Sequence, residues 1–409
     1  MIKIPALLMC AVLAAPAAAA PSGKRYLVGF RDGATAAQKT AALKTLGATQ
    51  ADDLSEIGAL VADVPAGVVS FRAFEAQAQA MPDVLEVEED VVRNWLLEAP
   101  SFQGLPFGAE LGAQVRAIAS LAAKAAPRPT FALPAGVDAA EIPWGIARVD
   151  APNAWAVTKG EGVKVAVIDT GIDCNHPDLK ANCAGGYNAV DGSKPPMDDN
   201  EHGTHVSGTI AGVLDGKGVA GVAPKARLYA VKVLDKDGAG GLVSIIKGIV
   251  WAGRNHMDVA NMSLGAPMGT IFMRAAIKYA ESQGVTVVAA AGNDGKAVGY
   301  PAAYPEVIAV AALNPTEGIA DFSSRGAKVE FIAPGVDVRS SIPGGRYAEF
   351  DGTSMATPHV AGLAALAVAR GAHGVDRVRA ALKRAARRVP GLKPEEQGAG
   401  VIDAAVLVR

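Results

Sequence analysis

The chain has 409 residues, which is enough for two or three domains of ordinary size. Half of the residues are hydrophobic and 20% are charged, with a mean hydropathy of +0.22, so a large buried core can form. Lys and Arg total 39 against 41 Asp and Glu, and the net charge of -2 gives no basis for binding nucleic acid or another polyanion. The composition also excludes intrinsic disorder, a collagen-like repeat and a multi-span membrane protein.

Residues 1–20, MIKIPALLMCAVLAAPAAAA, combine an early Lys3 with an apolar stretch and an alanine-rich end. This pattern is typical of a secretory signal peptide, because the apolar run is too short to span a bilayer well. We therefore expect a secreted protein, extracellular or periplasmic after removal of the signal. An uncleaved N-terminal membrane anchor is the alternative.

Residues 21–95 predict a small α+β module of the ferredoxin-like kind. Strand-like RYLVGF, GALVADV and VLEVEEDVV alternate with helix-like TAAQKTAALKTLG and FRAFEAQAQAM. The module has no cluster of chemically useful residues, and its acidic end, which includes Glu86 and Asp90, is interpreted as a solvated edge. Residues 96–140 form an Ala- and Pro-rich linker, with one helix predicted over 110–126.

Residues 141–409 alternate strand and helix patterns. The predicted strands are short, nearly continuous apolar runs, typical of a parallel sheet covered on both faces: VKVAVID, ARLYAVKVL, MDVANMSL, VTVVAAAG, VIAVAAL and VEFIAPG. Helices are predicted from Leu242 onward, over MRAAIKYAESQG and over MATPHVAGLAALAVARG. Right-handed crossovers then give a doubly wound, mostly parallel α/β sheet with its loops gathered at the carboxyl ends of the strands. No GxGxxG motif follows the first strand, so no dinucleotide site is expected.

Four polar residues stand at strand ends or at turns into helices. Asp169 ends the first strand, and His202 opens EHGTHVSGTIAG. Asn293 follows a later strand in AAAGND, and Ser354 lies in DGTSMATPHVAG. The chain order Asp, His, Ser is one of those known for a catalytic triad.

Two cysteines follow the first strand in DCNHPDLKANC. Cys174 and Cys183 would pair in an oxidising compartment and stabilise the loop by about 3 kcal/mol in the chain-entropy model. Two free thiols are the alternative. A metal site that includes His176 is less favoured, because no second pair of ligands accompanies it.

The motifs VAVIDTGID, HGTHVSGTIAG, NMSLG, AAAGN and GTSMATPHVAG resemble those of subtilisin-like serine peptidases, the subtilases. The resemblance covers residues 142–409. It implies an endopeptidase that cuts protein or peptide substrates through an acyl-enzyme on Ser354, with His202 as the base and Asp169 orienting it. Asn293 would donate to the developing oxyanion.

Residues 21–95 resemble the inhibitory propeptide of secreted subtilases, so we expect an intramolecular inhibitor that the enzyme removes from itself. Cuts near Trp95–Glu98 or nearer Ala139 both remain open. A monomer is expected. The alternatives are a non-catalytic subtilase-like binding protein, which would need a lost or misplaced triad residue, and an esterase, which shares the acyl chemistry but does not need extended peptide-binding strands.

The resemblance also implies where a substrate would bind. KDGAGG would pair with the substrate backbone, SLG and AAG would form the walls of the P1 pocket with Gly299 as its floor, and Leu242 and Ile245 would line a second pocket. The implied residues are Gly238, Gly240, Leu242, Ile245, Ser263, Leu264, Gly265, Ala290, Ala291, Gly292 and Gly299. Small residues in the P1 pocket predict a large apolar or aromatic P1 residue, and Asp294 at the rim would also accept a basic one.

A structural calcium ion is the cofactor that the resemblance implies. Its ligands would be the side chains of Asp178 and Asp215 and backbone carbonyls of the same loop, which are those of Val213, Lys217 and Val219. Ala140 stands where the family often supplies a glutamine ligand, which predicts a weaker site. His205 and His359 match no metal motif and are expected to be structural.

Overall fold

The computed structural model describes residues 23–66, 70–96 and 133–409. They belong to two compact units. The smaller unit contains the described residues up to Asp53 together with Leu60–Glu89, and the larger unit contains Leu54–Ala59 and Asp90–Arg409. The predicted signal peptide and the helix predicted over 110–126 lie outside the described residues. Within the described ranges, no helix is long and apolar enough to cross a membrane.

The smaller unit is built around a four-stranded sheet with the order β2-β3-β1-β4. Its elements are β1 (Lys24–Phe30), α1 (Ala36–Thr45), β2 (Thr49–Leu54), β3 (Ala59–Val64), α2 (Phe71–Gln79) and β4 (Val84–Glu89). Tyr26 of β1 and Phe74 of α2 are fully buried and stack with ring centroids 4.5 Å apart. Strand β2 was not predicted from the sequence, because TQADDL is polar and buries only Leu54.

The larger unit contains the remaining strands and helices. The strands are β5 (Val92–Asn94), β6 (Lys164–Asp169), β7 (Cys183–Asn188), β8 (Arg227–Lys232), β9 (Ala239–Gly241), β10 (Val259–Met262), β11 (Thr286–Ala290), β12 (Ile308–Leu313), β13 (Phe331–Pro334), β14 (Val338–Ile342), β15 (Arg346–Phe350), β16 (Ala386–Arg387) and β17 (Val401–Ile402). The helices are α3 (Trp144–Arg148), α4 (Ala151–Ala154), α5 (His202–Ala211), α6 (Leu242–Arg254), α7 (Ile271–Ser282), α8 (Thr353–Ala369), α9 (Val375–Ala385), α10 (Pro394–Gln397) and α11 (Ala404–Leu407).

Seven strands form one sheet with the order β13-β12-β11-β10-β6-β8-β7, and all neighbours are parallel. Every residue of β11 and β12 is buried, which explains their continuous apolar sequences. The prediction of a doubly wound parallel sheet is confirmed. Edge strand β7 was missed, because CAGGYN carries no apolar run and pairs on one side only.

The strand order reverses beside β6, where β8 lies on one side and β10 on the other. In a doubly wound sheet the carboxyl ends of the strands at such a reversal border a crevice in which ligands bind. Asp169 is the last residue of β6 and therefore lies at this crevice. Helix α8, almost entirely buried, packs against β10–β13 and also against α5. This packing brings the amino ends of α5 and α8 to the same end of the sheet.

Candidate active site

Asp169 and His202 are hydrogen-bonded at the end of β6. His202 Nδ1 lies 2.7 Å from Asp169 Oδ1, and the backbone N–H of Thr170 donates to the same oxygen at 2.7 Å. The Asp169 side chain is fully buried, whereas 12% of the His202 side chain is exposed. Because an ionised carboxylate only accepts hydrogen bonds, the neutral imidazole carries its proton on Nδ1. Nε2 is then the nitrogen with the basic lone pair.

Ser354 is buried at the amino end of α8, where it faces Ser263. The Ser354 hydroxyl donates to the backbone carbonyl of Ser263 at 3.1 Å, and the Ser263 hydroxyl donates to the backbone carbonyl of Ser354 at 2.7 Å. Asn261 supports this pair, since its Nδ2 donates to Ser263 Oγ at 3.0 Å. The turn that carries Ser354 is therefore attached directly to the segment that follows β10.

The amide of Asn293 has a fixed orientation beside this turn. Its Oδ1 accepts from the backbone N–H of Thr353 at 2.9 Å and from the Thr353 hydroxyl at 2.8 Å. A Cβ atom on Gly352 would lie 3.4 Å from Asn293 Nδ2 and 3.5 Å from the backbone N of Ser354. Two N–H donors thus border one small space that Gly352 leaves open. The sequence analysis missed the role of Thr353, although its place directly before Ser354 was the available signal.

A segment of the chain itself lies along the predicted substrate strands. Strand β5 pairs antiparallel with β9. The backbone N–H of Trp95 donates to the Gly238 carbonyl at 3.0 Å, and the Trp95 carbonyl accepts from the Gly265 N–H at 2.9 Å. The indole Nε1 donates to the Gly240 carbonyl at 2.8 Å, and only 1% of Trp95 is exposed. Trp95 therefore lies between the two segments that the sequence assigns to substrate binding.

The contact of Asp90 corrects its interpretation as part of a solvated edge. Asp90 Oδ1 accepts from the backbone N–H of Val243 at 2.9 Å. Val243 belongs to the first turn of α6, where backbone N–H groups lack partners within the helix and favour a negative charge. Periodicity could not reveal this contact, since the two residues are 153 positions apart.

The residues assigned to the P1 pocket lie after β10 and at the end of β11. The N–H of Gly299 donates to the carbonyl of Ala291 at 2.9 Å, which joins the predicted floor to one predicted wall. Four further residues of the predicted substrate-binding set are buried: Leu264 and Ala290 of the P1 walls, and Leu242 and Ile245 of the second pocket. Asp294 Oδ1 accepts from Ser324 Oγ at 2.9 Å and from the Lys296 N–H at 3.0 Å.

The predicted calcium ligands lie around the loop of residues 213–219. Asp178 is buried, its Oδ2 accepts from the Val219 N–H and its backbone carbonyl accepts from the Val213 N–H, both at 2.8 Å. Burial raises the pKa of this carboxyl, against the effect of hydrogen bonds from Val219 and Tyr347. A Cβ on Gly218 would collide with both Asp178 carboxylate oxygens, so the glycine keeps space open beside a buried negative charge. An all-oxygen set of this kind fits a hard cation.

Three of the five predicted calcium ligands are backbone carbonyls. No group of three or more His, Cys, Asp or Glu side chains that could hold a metal occurs in the part of the chain that the structure describes. Ala140 is exposed and has no side-chain oxygen. Glu141, which sequence reasoning missed, is 2% exposed and accepts from the N–H of Asp215 at 2.7 Å and of Gly216 at 3.0 Å. The residue beside Ala140 thus holds the loop directly.

The two cysteines, His205 and His359 make contacts that support the fold. Cys174 and Cys183 form a disulfide, as predicted. The His205 Nε2–H lies 3.0 Å from the Val338 carbonyl and 3.2 Å from the Ala348 carbonyl, and the His359 Nδ1–H lies 2.9 Å from the Met355 carbonyl. Both rings are fully buried. Burial lowers the pKa of His205 to about 3 and the pKa of His359 to about 4, so both are neutral near pH 7.

Comparison with known proteins identifies the family. The family model Peptidase_S8, described as the Subtilase family, matches residues 160–400. Subtilisin E of Bacillus subtilis (strain 168) is 50% identical over 240 residues, which cover 57% of this chain and 62% of that protein. Subtilisin BL of Lederbergia lenta is 53% identical over 230 residues, which cover 56% of this chain and 84% of that protein. The chain thus spans less than two thirds of Subtilisin E but most of Subtilisin BL, and with a family match over more than half of its residues it belongs to the subtilase family.

Proposed function

We propose that this chain is a secreted serine endopeptidase that hydrolyses peptide bonds through an acyl-enzyme on Ser354. The observation that carries the proposal is the 2.7 Å contact between Asp169 Oδ1 and His202 Nδ1 at the crevice of the sheet. A serine hydroxyl is a weak nucleophile at neutral pH and needs a positioned base. With the proton held on Nδ1 by Asp169, His202 Nε2 takes the Ser354 proton and later delivers it to the leaving amine.

The oxyanion would be stabilised by the two donors beside Gly352. As the Ser354 oxygen attacks, the carbonyl oxygen of the substrate gains negative charge and needs donors about 3 Å away. Asn293 Nδ2 and the Ser354 N–H border the same open space. Thr353 fixes the Asn293 amide before substrate arrives, so the donors need no reorganisation during the reaction.

Peptide substrates are proposed to bind as an added strand between β9 and the segment that follows β10. The contacts of Trp95 support this, since its backbone hydrogen-bonds to Gly238 on one side and Gly265 on the other. Main-chain pairing of this type provides affinity for any extended peptide, whereas side-chain pockets provide specificity. Ala291, Gly292 and Gly299 leave room for a large apolar or aromatic P1 residue.

The pairing of β5 also supports an inhibitory propeptide. Because residues 92–95 occupy the proposed substrate strand, substrate cannot bind there until this segment leaves. We propose that residues 21–95 form the propeptide, that 96–140 link it to a catalytic domain of residues 141–409, and that the enzyme cuts within the link. A bond shortly after Trp95 is the first candidate, because Trp95 lies next to the strands that align a substrate.

Calcium is proposed as a structural ion held by Asp178, Asp215 and the carbonyls of Val213, Lys217 and Val219. When bound, it would neutralise the buried Asp178 carboxylate and stiffen the loop. It has no role in bond cleavage in this proposal. Secretion is supported by the signal-like residues 1–20 and by the Cys174–Cys183 disulfide, which is typical of oxidising compartments.

The test is covalent labelling with a serine-directed fluorophosphonate, combined with hydrolysis of a peptide amide that has an aromatic P1 residue. We expect one label per protein, located on Ser354 by peptide mass mapping, and no hydrolysis by Ser354→Ala. A non-catalytic binding protein would take no label, and an esterase would cleave the matching ester but not the amide. A peptide map of the mature N-terminus separates a secreted enzyme from one that keeps its N-terminal anchor.

A further inference from the structure

Asp198 connects the strand that carries Asp169 to the helix that carries His202. It lies in the connection between β7 and α5, and only 4% of it is exposed. On one side, Thr170, the neighbour of Asp169, donates its hydroxyl to Asp198 Oδ1 at 2.8 Å. On the other side, Thr204 of α5 donates its hydroxyl at 2.6 Å and its backbone N–H at 2.9 Å to Asp198 Oδ2.

The same carboxylate also caps α5. Glu201, which precedes the helix, makes no side-chain hydrogen bond to the first turn and has a φ of 102°. The N–H of Glu201 instead donates to Asp198 Oδ1 at 3.1 Å, as does the N–H of Asn200 at 3.0 Å. A negative charge is favourable at this end of a helix, where N–H groups lack intrahelical partners. His202 is the first residue of α5, so its backbone position depends on this cap.

Thr170 bonds both to Asp198 and directly to helix α5. While its hydroxyl donates to Asp198, its oxygen accepts from the Gly203 N–H at 2.9 Å. The residue after Asp169 is therefore bonded directly to Gly203, the residue after His202, and through Asp198 to Thr204 in the same turn of α5. The two oxygens of Asp198 accept from five donors. An asparagine cannot replace this carboxylate, because its NH₂ group would face donors on whichever side it lay.

We propose that Asp198 is a positioning residue for the hydrolysis assigned above: it sets the distance and angle between Asp169 and His202 without touching substrate. The inference rests on the proposed function. Asp198 contacts neither β9 nor the segment of Ser263–Gly265 through its hydrogen bonds, so its loss affects proton transfer more than substrate binding. A small misplacement of a reacting group can lower a rate by about 100-fold.

The test uses four variants whose active sites are counted with the serine-directed label, so that kcat refers to functional enzyme. Asp198→Asn removes the carboxylate, and Thr170→Val removes one arm of the link at nearly constant volume. Thr170→Ser keeps the hydroxyl and is the conservative rescue. Asp191→Asn is the matched control, because Asp191 lies in the same connection but its carboxylate bonds to the nearby Ser193 and Lys194. The substrate is a peptide amide, for which acylation limits the rate.

We expect Asp198→Asn and Thr170→Val to lower kcat at least about tenfold, with KM within about twofold of the wild-type value. A tenfold loss is smaller than the loss of about 100-fold that a misplaced reacting group can cause. Thr170→Ser and Asp191→Asn should retain wild-type constants. If Asp198→Asn does not fold, Thr170→Val against Thr170→Ser decides the question. Unchanged kcat in the folded variants, or an equal loss in Thr170→Ser, would overturn the positioning role. A wild-type protein that takes no label would instead overturn the proposed function.

Discussion

Ser263 and Ser354 exchange hydrogen bonds: each hydroxyl donates to the backbone carbonyl of the other residue, at 2.7 Å from Ser263 and 3.1 Å from Ser354. The proposed nucleophile is thus hydrogen-bonded to the segment that follows β10, along which the substrate is proposed to bind. In the proposed reaction the Ser354 hydroxyl gives its proton to His202, whereas the Ser263 hydroxyl can keep its contact and hold the turn. The pair gives Ser263 a role beyond its place in the P1 wall.

Replacement of Ser263 by Ala tests that role. The variant keeps the Ser263 carbonyl but loses the donor to the Ser354 carbonyl and the acceptor for Asn261 Nδ2. A net hydrogen bond contributes about 0.5–1.5 kcal/mol, so we expect kcat/KM to fall by roughly three- to tenfold. Ser282→Ala is the control, because the exposed Ser282 donates its hydroxyl to the Tyr279 carbonyl within α7. Equal kcat/KM in both variants, measured with a peptide amide, would contradict the role of Ser263.

Asn293, the proposed oxyanion donor, can lose its Nδ2 group and still keep its hydrogen bonds to Thr353. Asn293→Asp keeps an oxygen for the two Thr353 donors but replaces Nδ2 by a second oxygen beside the oxyanion space. Loss of one such donor costs about 10²–10³ in kcat, so we expect at least that loss with little change in KM. Asn314→Asp is the control, since Asn314 Oδ1 likewise accepts from backbone N–H groups, those of Thr316 and Gly318. Full activity in Asn293→Asp would exclude Asn293 from the oxyanion site.

Much of this fold could be predicted from the sequence, and two of the strands that were missed share one cause. Strands β11 and β12 are buried on both faces, so continuous apolar runs reveal them. Strands β2 and β7 lie at sheet edges, where pairing on one side only lets polar or glycine-rich sequences form strands. Local pattern therefore fails to reveal an edge strand when that strand has no apolar run, whereas the apolar edge strands β4 and β13 were predicted.

The candidate site likewise contains residues that the sequence could predict and contacts that it could not. Asp169, His202, Asn293 and Ser354 lie in motifs that stand out in the chain. Their supporting contacts join distant residues: Thr353 holds Asn293 from 60 positions away, and Glu141 holds Asp215 from 74. Only folding brings these partners together, so no local sequence pattern predicts their contacts.

Two buried histidines predict a loss of stability in acid. Burial lowers the pKa of His205 to about 3 and of His359 to about 4, from 6.5. Below pH 6.5 the unfolded chain binds protons that the folded chain does not, so the free energy of unfolding falls by up to about 1.4 kcal/mol per pH unit for each histidine. We expect the decline to begin as the pH drops through about 6.5 and to continue to about 4.

His359→Gln should make that decline shallower, whereas the exposed His373→Gln should not change it. Urea unfolding between pH 7 and about 4, in a Ser354→Ala background that prevents self-digestion, measures the slope. The same slope in the parent and in His359→Gln would show that His359 does not remain neutral in the folded protein.

Calcium should raise the Tm of the Ser354→Ala protein, and a chelator should lower it. A ligand that binds only the folded state stabilises it by about 2.7 kcal/mol at 100 times its Kd. Asp215→Asn should reduce the calcium-induced shift, because it removes a charged ligand. Asp237→Asn, a change at an exposed loop carboxylate paired with Lys236, should leave the shift intact. A Tm that responds to neither calcium nor chelator would refute the calcium assignment.

The most direct test follows the intact mass of wild type and Ser354→Ala over time after refolding with calcium. We predict that the wild type loses its N-terminal segment through a cut in residues 96–140, that the fragment masses locate this cut, and that Ser354→Ala stays at full length. Loss of the same segment at the same rate in purified Ser354→Ala, or a wild type that stays intact while folded, would contradict self-processing by Ser354.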